Sequence, residues 1–436
     1  MKYLIKNGRL IDPAGALDDF LDILISDGNI DDVGRNLKMS ADEVIDAKDK
    51  IIAPGLIDMH AHLREPGRED EETILTGTRA AIRGGFTSLV CMPNTEPAVD
   101  NAKIVKLIKE IIKKDAFSGV FIAGAITEGR AGKKLTDFKA MKQEGAVAVS
   151  DDGSSVEDKD IMLKALEESA RQSLLLIDHC EDTKLSGRGV INQGFIATKM
   201  GLRGIPKQAE YERLRRDLEL AESAASRMHI AHTSCKESVE LIRKAKKKGI
   251  MVTAETAPHY FTLTEECCVT YDANTKINPP LRRKEDVEAI KEGLRDGTID
   301  VIATDHAPHT DSEKDVEFDL APFGIISLET ALGLAAMELV DKKILSWSEL
   351  ILKMSVNPAR ILGINRGTLK KGSVADIVII EPNKEYIYEK DSIESKSRNS
   401  PFIGWRFKAR ANSVFVNGKL VMRDEIIRPQ TAGHRP

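Results

Sequence analysis

Short apolar runs alternate with amphipathic stretches through the middle of the chain. The runs IIAPGLIDMH (51–60), FTSLVCMP (86–93), GVFIAGAI (119–126), GAVAVSDD (145–152), SLLLIDHC (173–180), MHIAHT (228–233), IMVTAET (250–256) and DVIATDH (300–306) read as buried strands. Between them, Asp70 to Arg83, Asn101 to Lys114, Lys159 to Arg171, Gln208 to Ser226 and Ser238 to Lys248 carry apolar residues at helical spacing. Eight βα units over roughly 310 residues predict an α/β protein built as a (β/α)8 TIM barrel. A doubly wound open sheet is the competing layout, but no glycine-rich phosphate loop follows any of the strands.

The two ends of the chain share a different texture. Residues 1–54 hold short alternating runs (YLIKNGRLID, DILISDGNI, EVIDA) broken by Gly, Asp and Asn. Residues 367–436 hold GTLKKGSVADIVIIEP and ANSVFVNGKLVMRDE, strands joined by Lys-Gly and Asn-Gly turns. The division expected is therefore a barrel over 55–366 and a small β-sandwich domain built from both termini. No internal repeat or low-complexity segment interrupts it.

Composition narrows the function classes. The 436 residues are 42% hydrophobic and 31% charged, with a net charge of −5, which argues against a nucleic-acid partner. The basic run Lys244 to Lys248 falls on a helical pattern and reads as a solvated face. Five cysteines with no C-x-x-C pair suit a reducing compartment. The N-terminus lacks a signal-peptide core and no apolar run is long enough to span a bilayer, so a soluble cytoplasmic protein without a membrane partner is expected.

The strands end in metal-binding residue types. His60 and His62 follow the first, Asp151 and Asp152 the fourth, His179 the fifth, His232 the sixth and Asp305 the eighth. In a barrel these ends converge on one mouth. His-x-His on an extended segment puts both imidazoles on one side, and two imidazoles at one spot suit a divalent metal. Four histidines with acidic partners exceed the three protein ligands a single catalytic zinc usually takes. Two metals sharing a carboxylate and a bridging hydroxide would use the surplus; the residues alone leave Asp151 and Asp152 as equal candidates for the bridge.

Other residues carry blander readings. His229 alternates out of phase with His232 and reads as core; His306 reads as structural, His259 as packed or as support for the site, and His434 as solvent-exposed. Cys91 and Cys180 border the mouth without partner cysteines and read as small buried hydrophobes. The segment His309 to Gly324 is highly charged and short of apolar anchors before Phe318, so it is expected to be mobile when the site is empty.

Together DMHAHLREPG, MPNTEP, SDDGS, DHCED, AHTS, NPPLR and ATDHAPH resemble dihydroorotase of the longer-chain bacterial and archaeal class, within the amidohydrolase superfamily. The likeness runs over nearly the whole chain, through the terminal ADIVII and VFVNG segments. It implies a small-molecule substrate, Zn(2+) at two per chain with one an option, and reversible cyclisation of N-carbamoyl-L-aspartate. It implies that His60, His62 and Asp305 hold one zinc, that His179 and His232 hold the other, and that Asp152 bridges them. Many relatives bridge with a carboxylated lysine; GAVAVSDD offers none. Asp305 would also be the catalytic proton shuttle. His62 would touch substrate too. Arg64, with Asn94 and His309, would take the substrate carboxylate, while Asn278 and the backbone of Phe323 and Gly324 would take the ring amides. The resemblance also admits a homodimer and association with aspartate carbamoyltransferase. Its rivals are a hydantoinase or allantoinase, and a non-catalytic subunit that has lost its metal ligands.

Overall fold

The computed structural model of the chain describes residues 1–429, so His434 lies outside the described residues. Eight parallel strands form the central sheet: Leu56–Ala61, Phe86–Cys91, Gly119–Gly124, Ala146–Val149, Leu175–Asp178, Met228–Ile230, Val252–Thr256 and Val301–Ile302. Neighbours in sequence are neighbours in space, and Ala61 bridges His306 to close the ring. The first two strands are buried along their whole length, which is why they read as unbroken apolar runs rather than alternating ones. Ile57, Met59, Val90, Met92, Ala123 and Ile177 fill the interior of the barrel. The opposite strand face, including Leu56, Leu89 and Cys91, packs under the helices.

The helices form where the apolar spacing and the caps agree. Ile74–Gly84 starts at a reciprocal Thr73/Thr76 capping box and ends at Gly85 in the left-handed region. Ala102–Asp115 is capped by Asn101, and Lys159–Gln172 by Asp158. The Lys244 to Lys248 run sits at the end of Lys236–Lys247, mostly exposed around a buried Ala245.

One sequence reading needs correction. IIAPGLIDMH is two strands, not one. Ile51–Pro54 pairs with Arg9–Asp12 and Ile377–Ile387 in the seven-stranded sheet of the β-domain, whereas Leu56–Ala61 opens the barrel. Gly55 makes the break. A Cβ there would lie 2.1 Å from Thr87 Oγ1, so only glycine lets the chain cross between layers at this point.

The β-domain draws on both termini: a four-stranded sheet from residues 3–46 faces the seven-stranded sheet. Ile5, Leu10, Ile23, Ile52, Ile377 and Phe415 fill the space between them. Between Ile377–Ile387 and Arg406–Val416 the chain leaves this domain and returns to the barrel mouth. There Ser395 and Ser397 bond Glu72 and the Glu71 carbonyl, and Tyr388 and Phe402 join Phe318, Ile325 and Tyr260 in a separate apolar cluster. No helix among the described residues is long and apolar enough to cross a membrane.

Candidate metal centre and substrate cavity

Asp152 stands at the centre of the mouth. Its Oδ1 lies 3.2 Å from His60 Nε2, 3.4 Å from His179 Nδ1 and 3.4 Å from His232 Nε2, and its Oδ2 lies 3.6 Å from His62 Nε2. Asp305 Oδ1 is 3.3 Å from His62 Nε2 and 3.6 Å from His60 Nε2. Four imidazoles and two carboxylates from five strands thus meet in one buried spot. Asp151 does not join them. It faces away and accepts from the amides of Ile126 and Thr127 and from the Thr127 hydroxyl, which separates the two adjacent aspartates that sequence left equal.

What lies behind each imidazole sets its polarity. His60 Nδ1 is 2.7 Å from Glu255 Oε1, His62 Nδ1 is 2.7 Å from Asn94 Oδ1, and His179 Nε2 is 3.2 Å from Glu181 Oε2. Oxygens of this kind only accept, so each of those nitrogens donates. In a neutral ring the other nitrogen then carries a lone pair; those of His60 and His62 face the aspartates, and that of His179, Nδ1, faces both Asp152 and His232 Nε2, the latter 2.8 Å away. His60 Nε2 and Asp152 Oδ1 are buried without a hydrogen-bond partner. Donor atoms of His60, His62 and Asp305, and of His60, Asp152 and His232, lie within 4.8 Å of one another. Imidazole lone pairs and buried carboxylates facing a common point fit a divalent cation, or two sharing Asp152.

Electrostatics agree. Burial alone would raise the Asp152 carboxyl and lower the His60 and His179 imidazoles. Their mutual attraction outweighs it: Asp152 is held well below the usual carboxylate range, His60 well above the usual imidazole range, and His179 is carried up to about 10. Asp305 is likewise held low against its burial by its contact with His62 and by the nearby imidazoles. His62 goes the other way, because burial dominates and the Arg64 charge adds to it. A centre whose carboxylates recruit this much positive charge is one that a metal ion satisfies.

Three of these residues bend the backbone. Arg64, His232 and Asp305 have φ of 60°, 32° and 48°, a left-handed geometry that costs on the order of 1 kcal/mol or more for a side-chain-bearing residue. Each turns a strand end so that its side chain faces inward.

Beside the imidazole–carboxylate centre is a cavity of about 220 Å³ lined by Arg64, Asn94, Asn278, His309, Phe323 and Gly324 together with histidines and aspartates of that centre. The Arg64 side chain is nearly buried, its Nε 2.9 Å from Glu71 Oε2 and donating to the Pro308 carbonyl at 3.1 Å. His309 is held at Nδ1 by Glu71 (2.8 Å) and at Nε2 by the Phe323 carbonyl (2.8 Å). Gly324 has φ of 131°, and a Cβ there would sit 2.7 Å from that of Ala307, so the position is restricted to glycine. The intervening segment carries polar anchors that hydropathy does not reveal. Lys314 donates to the carbonyls of Ala273 and Pro322, and Arg68 pairs with Glu313 at 2.6 Å.

His229, His259, His306, Cys91 and Cys180 are all buried. His229 Nε2 lies 3.1 Å from Glu255 and its Nδ1 2.7 Å from Thr253 Oγ1, so it steadies the carboxylate behind His60. His306 bonds Glu72 and accepts from the Ser327 amide. His259 stacks edge-on against Tyr260 with burial pushing its pKa down to about 4. Cys91 and Cys180 are buried thiols, the latter 3.0 Å from Asp178 Oδ2. Sequence reading missed the supporting acids Glu255, Glu181 and Glu71. Only Glu255 left a trace, as a lone charge inside the apolar run IMVTAET.

A barrel with a β-domain made from both termini, and with four imidazoles and two carboxylates at its mouth, is the architecture of the metal-dependent cyclic amidohydrolases. The backbone matches L-hydantoinase (dihydropyrimidinase) from Arthrobacter aurescens with a TM-score of 0.89 at 24% identity, over 98% of this chain and 97% of that one. It matches dihydropyrimidinase from Brevibacillus agri with a TM-score of 0.86 at 24% identity, over 98% and 96%. In sequence, a dihydro-orotase-like family model matches residues 49–238. Dihydroorotase from Elusimicrobium minutum is 51% identical over 432 residues, 99% of this chain and all of that one. Dihydroorotase from Pelotomaculum thermopropionicum is 51% identical over 428 residues, 98% of this chain and all of that one. The chain belongs to the dihydroorotase family.

Proposed function

We propose that the protein catalyses the reversible interconversion of N-carbamoyl-L-aspartate and L-dihydroorotate in de novo pyrimidine (UMP) biosynthesis, in the cytoplasm, with zinc held by His60, His62, Asp152, His179, His232 and Asp305. What supports this reading is a single cavity in which an imidazole–carboxylate centre adjoins a receptor for an anion. Arg64 offers a planar fork to the substrate carboxylate, and Asn94 and His309 flank it. Zinc, when bound, supplies Lewis acidity toward the scissile carbonyl and acidifies the attacking water.

The chain's own groups do the rest. In the hydrolytic direction water oxygen bonds to the ring carbonyl carbon, and Asp305 accepts the proton released. Asp305 then returns that proton to the ring nitrogen as the carbon–nitrogen bond breaks, leaving the open ureide and a new carboxyl group, which loses the second water proton to solvent as it becomes a carboxylate. Closure runs the same transfers backwards. Burial of the centre keeps bulk water from competing for the proton.

The fold likeness to hydantoinases, at 24% identity, carries no substrate with it. Turnover of dihydroorotate, hydantoin and allantoin by the zinc-loaded protein tests the assignment. Dihydroorotate should be preferred by orders of magnitude; a preference for hydantoin or allantoin overturns it, as does zinc-loaded protein inert toward all three.

A further inference from the structure

Glu181 lies two residues beyond His179, and one of its oxygens contacts two neighbours at once. Oε2 is 3.2 Å from His179 Nε2 and 3.0 Å from Asn278 Nδ2. The loop is held for this: the Glu181 amide donates to Ser155 Oγ at 3.1 Å while that hydroxyl donates to the His179 carbonyl at 2.7 Å. A carboxylate accepts and does not donate, so both neighbours must present N–H to it. For His179 this leaves Nδ1 as the lone-pair nitrogen turned into the centre, 3.4 Å from Asp152 Oδ1 and 2.8 Å from His232 Nε2. For Asn278 it leaves the carbonyl oxygen as the end of the amide not engaged by Glu181, on a residue that lines the substrate cavity.

Across the cavity Asn94 is locked in the opposite sense. Its Oδ1 takes the proton of His62 Nδ1 at 2.7 Å, leaving its amide N–H groups for the ligand. One asparagine therefore offers a donor, as a carboxylate requires, and the other an acceptor, as a ring N–H requires. Neither sense is set by the asparagine itself; each is imposed by the group behind it.

We propose that Glu181 is a positioning residue that fixes, through one oxygen, both the metal-facing tautomer of His179 and the acceptor polarity of Asn278, so that the site selects a cyclic substrate bearing an N–H beside its scissile carbonyl. This rests on the dihydroorotate reading above for the identity of that ring. It couples metal binding to ring recognition through one side chain, so loss of Glu181 damages both.

The test is a polarity swap on the zinc-loaded enzyme. Asn278→Asp sets two carboxylates against each other at the contact and should raise KM for dihydroorotate about tenfold or more, with a smaller change in kcat. Adding Glu181→Gln restores a donor–acceptor pair at position 278, because the new amide N–H can bond the introduced carboxylate, and should recover most of that KM in zinc-loaded protein. It gives up the acceptor for His179 Nε2, so zinc retention should fall as in Glu181→Ala. Glu181→Ala should lose zinc to a chelator at about 10- to 100-fold lower chelator concentration than the wild type. A double variant no better than Asn278→Asp overturns the polarity argument, and zinc retention unchanged in Glu181→Ala overturns the link to His179. If the wild type fails to turn over dihydroorotate, the substrate reading falls instead, while the chelator experiment still reads the His179 contact.

Discussion

His62 Nδ1 lies 2.7 Å from Asn94 Oδ1, a bond between the first and second barrel strand ends that leaves His62 Nε2 facing the two aspartates and the Asn94 amide N–H groups facing the cavity. Replacing Asn94 by Asp keeps the acceptor for His62 and removes the donor. Zinc content should stay at the wild-type level while KM for dihydroorotate rises about 10- to 100-fold, the range expected for an unpaired charge against the substrate carboxylate. Metal analysis and steady-state kinetics on one preparation check both halves; a fall in zinc with KM unchanged would assign Asn94 to the metal rather than the substrate.

Metal removal has a defined pattern. His60→Ala and His179→Ala should each abolish turnover and lower zinc content, because each removes a lone pair aimed at Asp152. Asp151→Asn, one residue from the proposed bridge, should retain zinc, since Asp151 bonds Ile126 and Thr127. Elemental analysis of the three proteins separates them; equal zinc in all three would refute the ligand assignment.

Asn399 reaches the mouth from outside the barrel. Its Oδ1 accepts the His309 amide at 3.1 Å and its Nδ2 donates to the carbonyls of Ala307 and Gly324 at 3.0 and 3.1 Å. Asn399→Ala strands three buried backbone groups, which should cost about 3 kcal/mol of stability and raise KM through the loosened His309 and Gly324. Denaturant unfolding and kinetics read the two effects, and a loss below about 1 kcal/mol, the size of one ordinary hydrogen bond, would show that the clamp is redundant.

Glu329 is buried beside Glu394 and Arg83, accepting from the amides of Glu394 and Ser395, and burial pushes its pKa up to about 7. The folded value lies above the unfolded one of 4.5. Its contribution to stability is therefore full below pH 4.5 and is lost as pH rises toward 7, by about 3 kcal/mol at the limit. Glu329→Gln should flatten that slope, becoming more stable relative to the wild type at about pH 8 than at about pH 5. Parallel unfolding curves at the two pH values decide it; an identical difference at both would rule out titration of Glu329 in this window.

The barrel was legible because parallel strands buried on both faces leave continuous apolar runs, and because histidines and aspartates sit at their ends. The boundary expected at 54/55 left IIAPGLIDMH reading as one strand, since nothing in that run records that Thr87 presses on the chain at Gly55 and splits it in two. Asp151 and Asp152 were inseparable because the strand ends at Val149 and the turn beyond it obeys no period of two. Glu255 and Glu71 support His60 and His309 across 195 and 238 residues, and such pairings have no local signature; Glu181 sits two residues from His179, but its second contact, Asn278, lies 97 residues on. The anchoring of residues 309–324 was missed for the same reason: Lys314 reads as a solvated charge until the carbonyls of Ala273 and Pro322 are brought to it.

The strap from Ser395 to Asn399 sets an order in time. Every proposed zinc ligand has left the ribosome once residue 305 emerges, yet Glu72 meets Ser395 only 323 residues after it is made, and His309 meets Asn399 after 90. When residue 305 emerges, Arg64, Asn94 and Asn278 are also outside, but the His309–Gly324 side of the cavity and the Asn399 that clamps it are still to come. Translation that stops short of Asn399 therefore yields a fragment that carries every proposed ligand but lacks the clamp on His309 and Gly324, and the completed pocket becomes a report that synthesis has run nearly to its end.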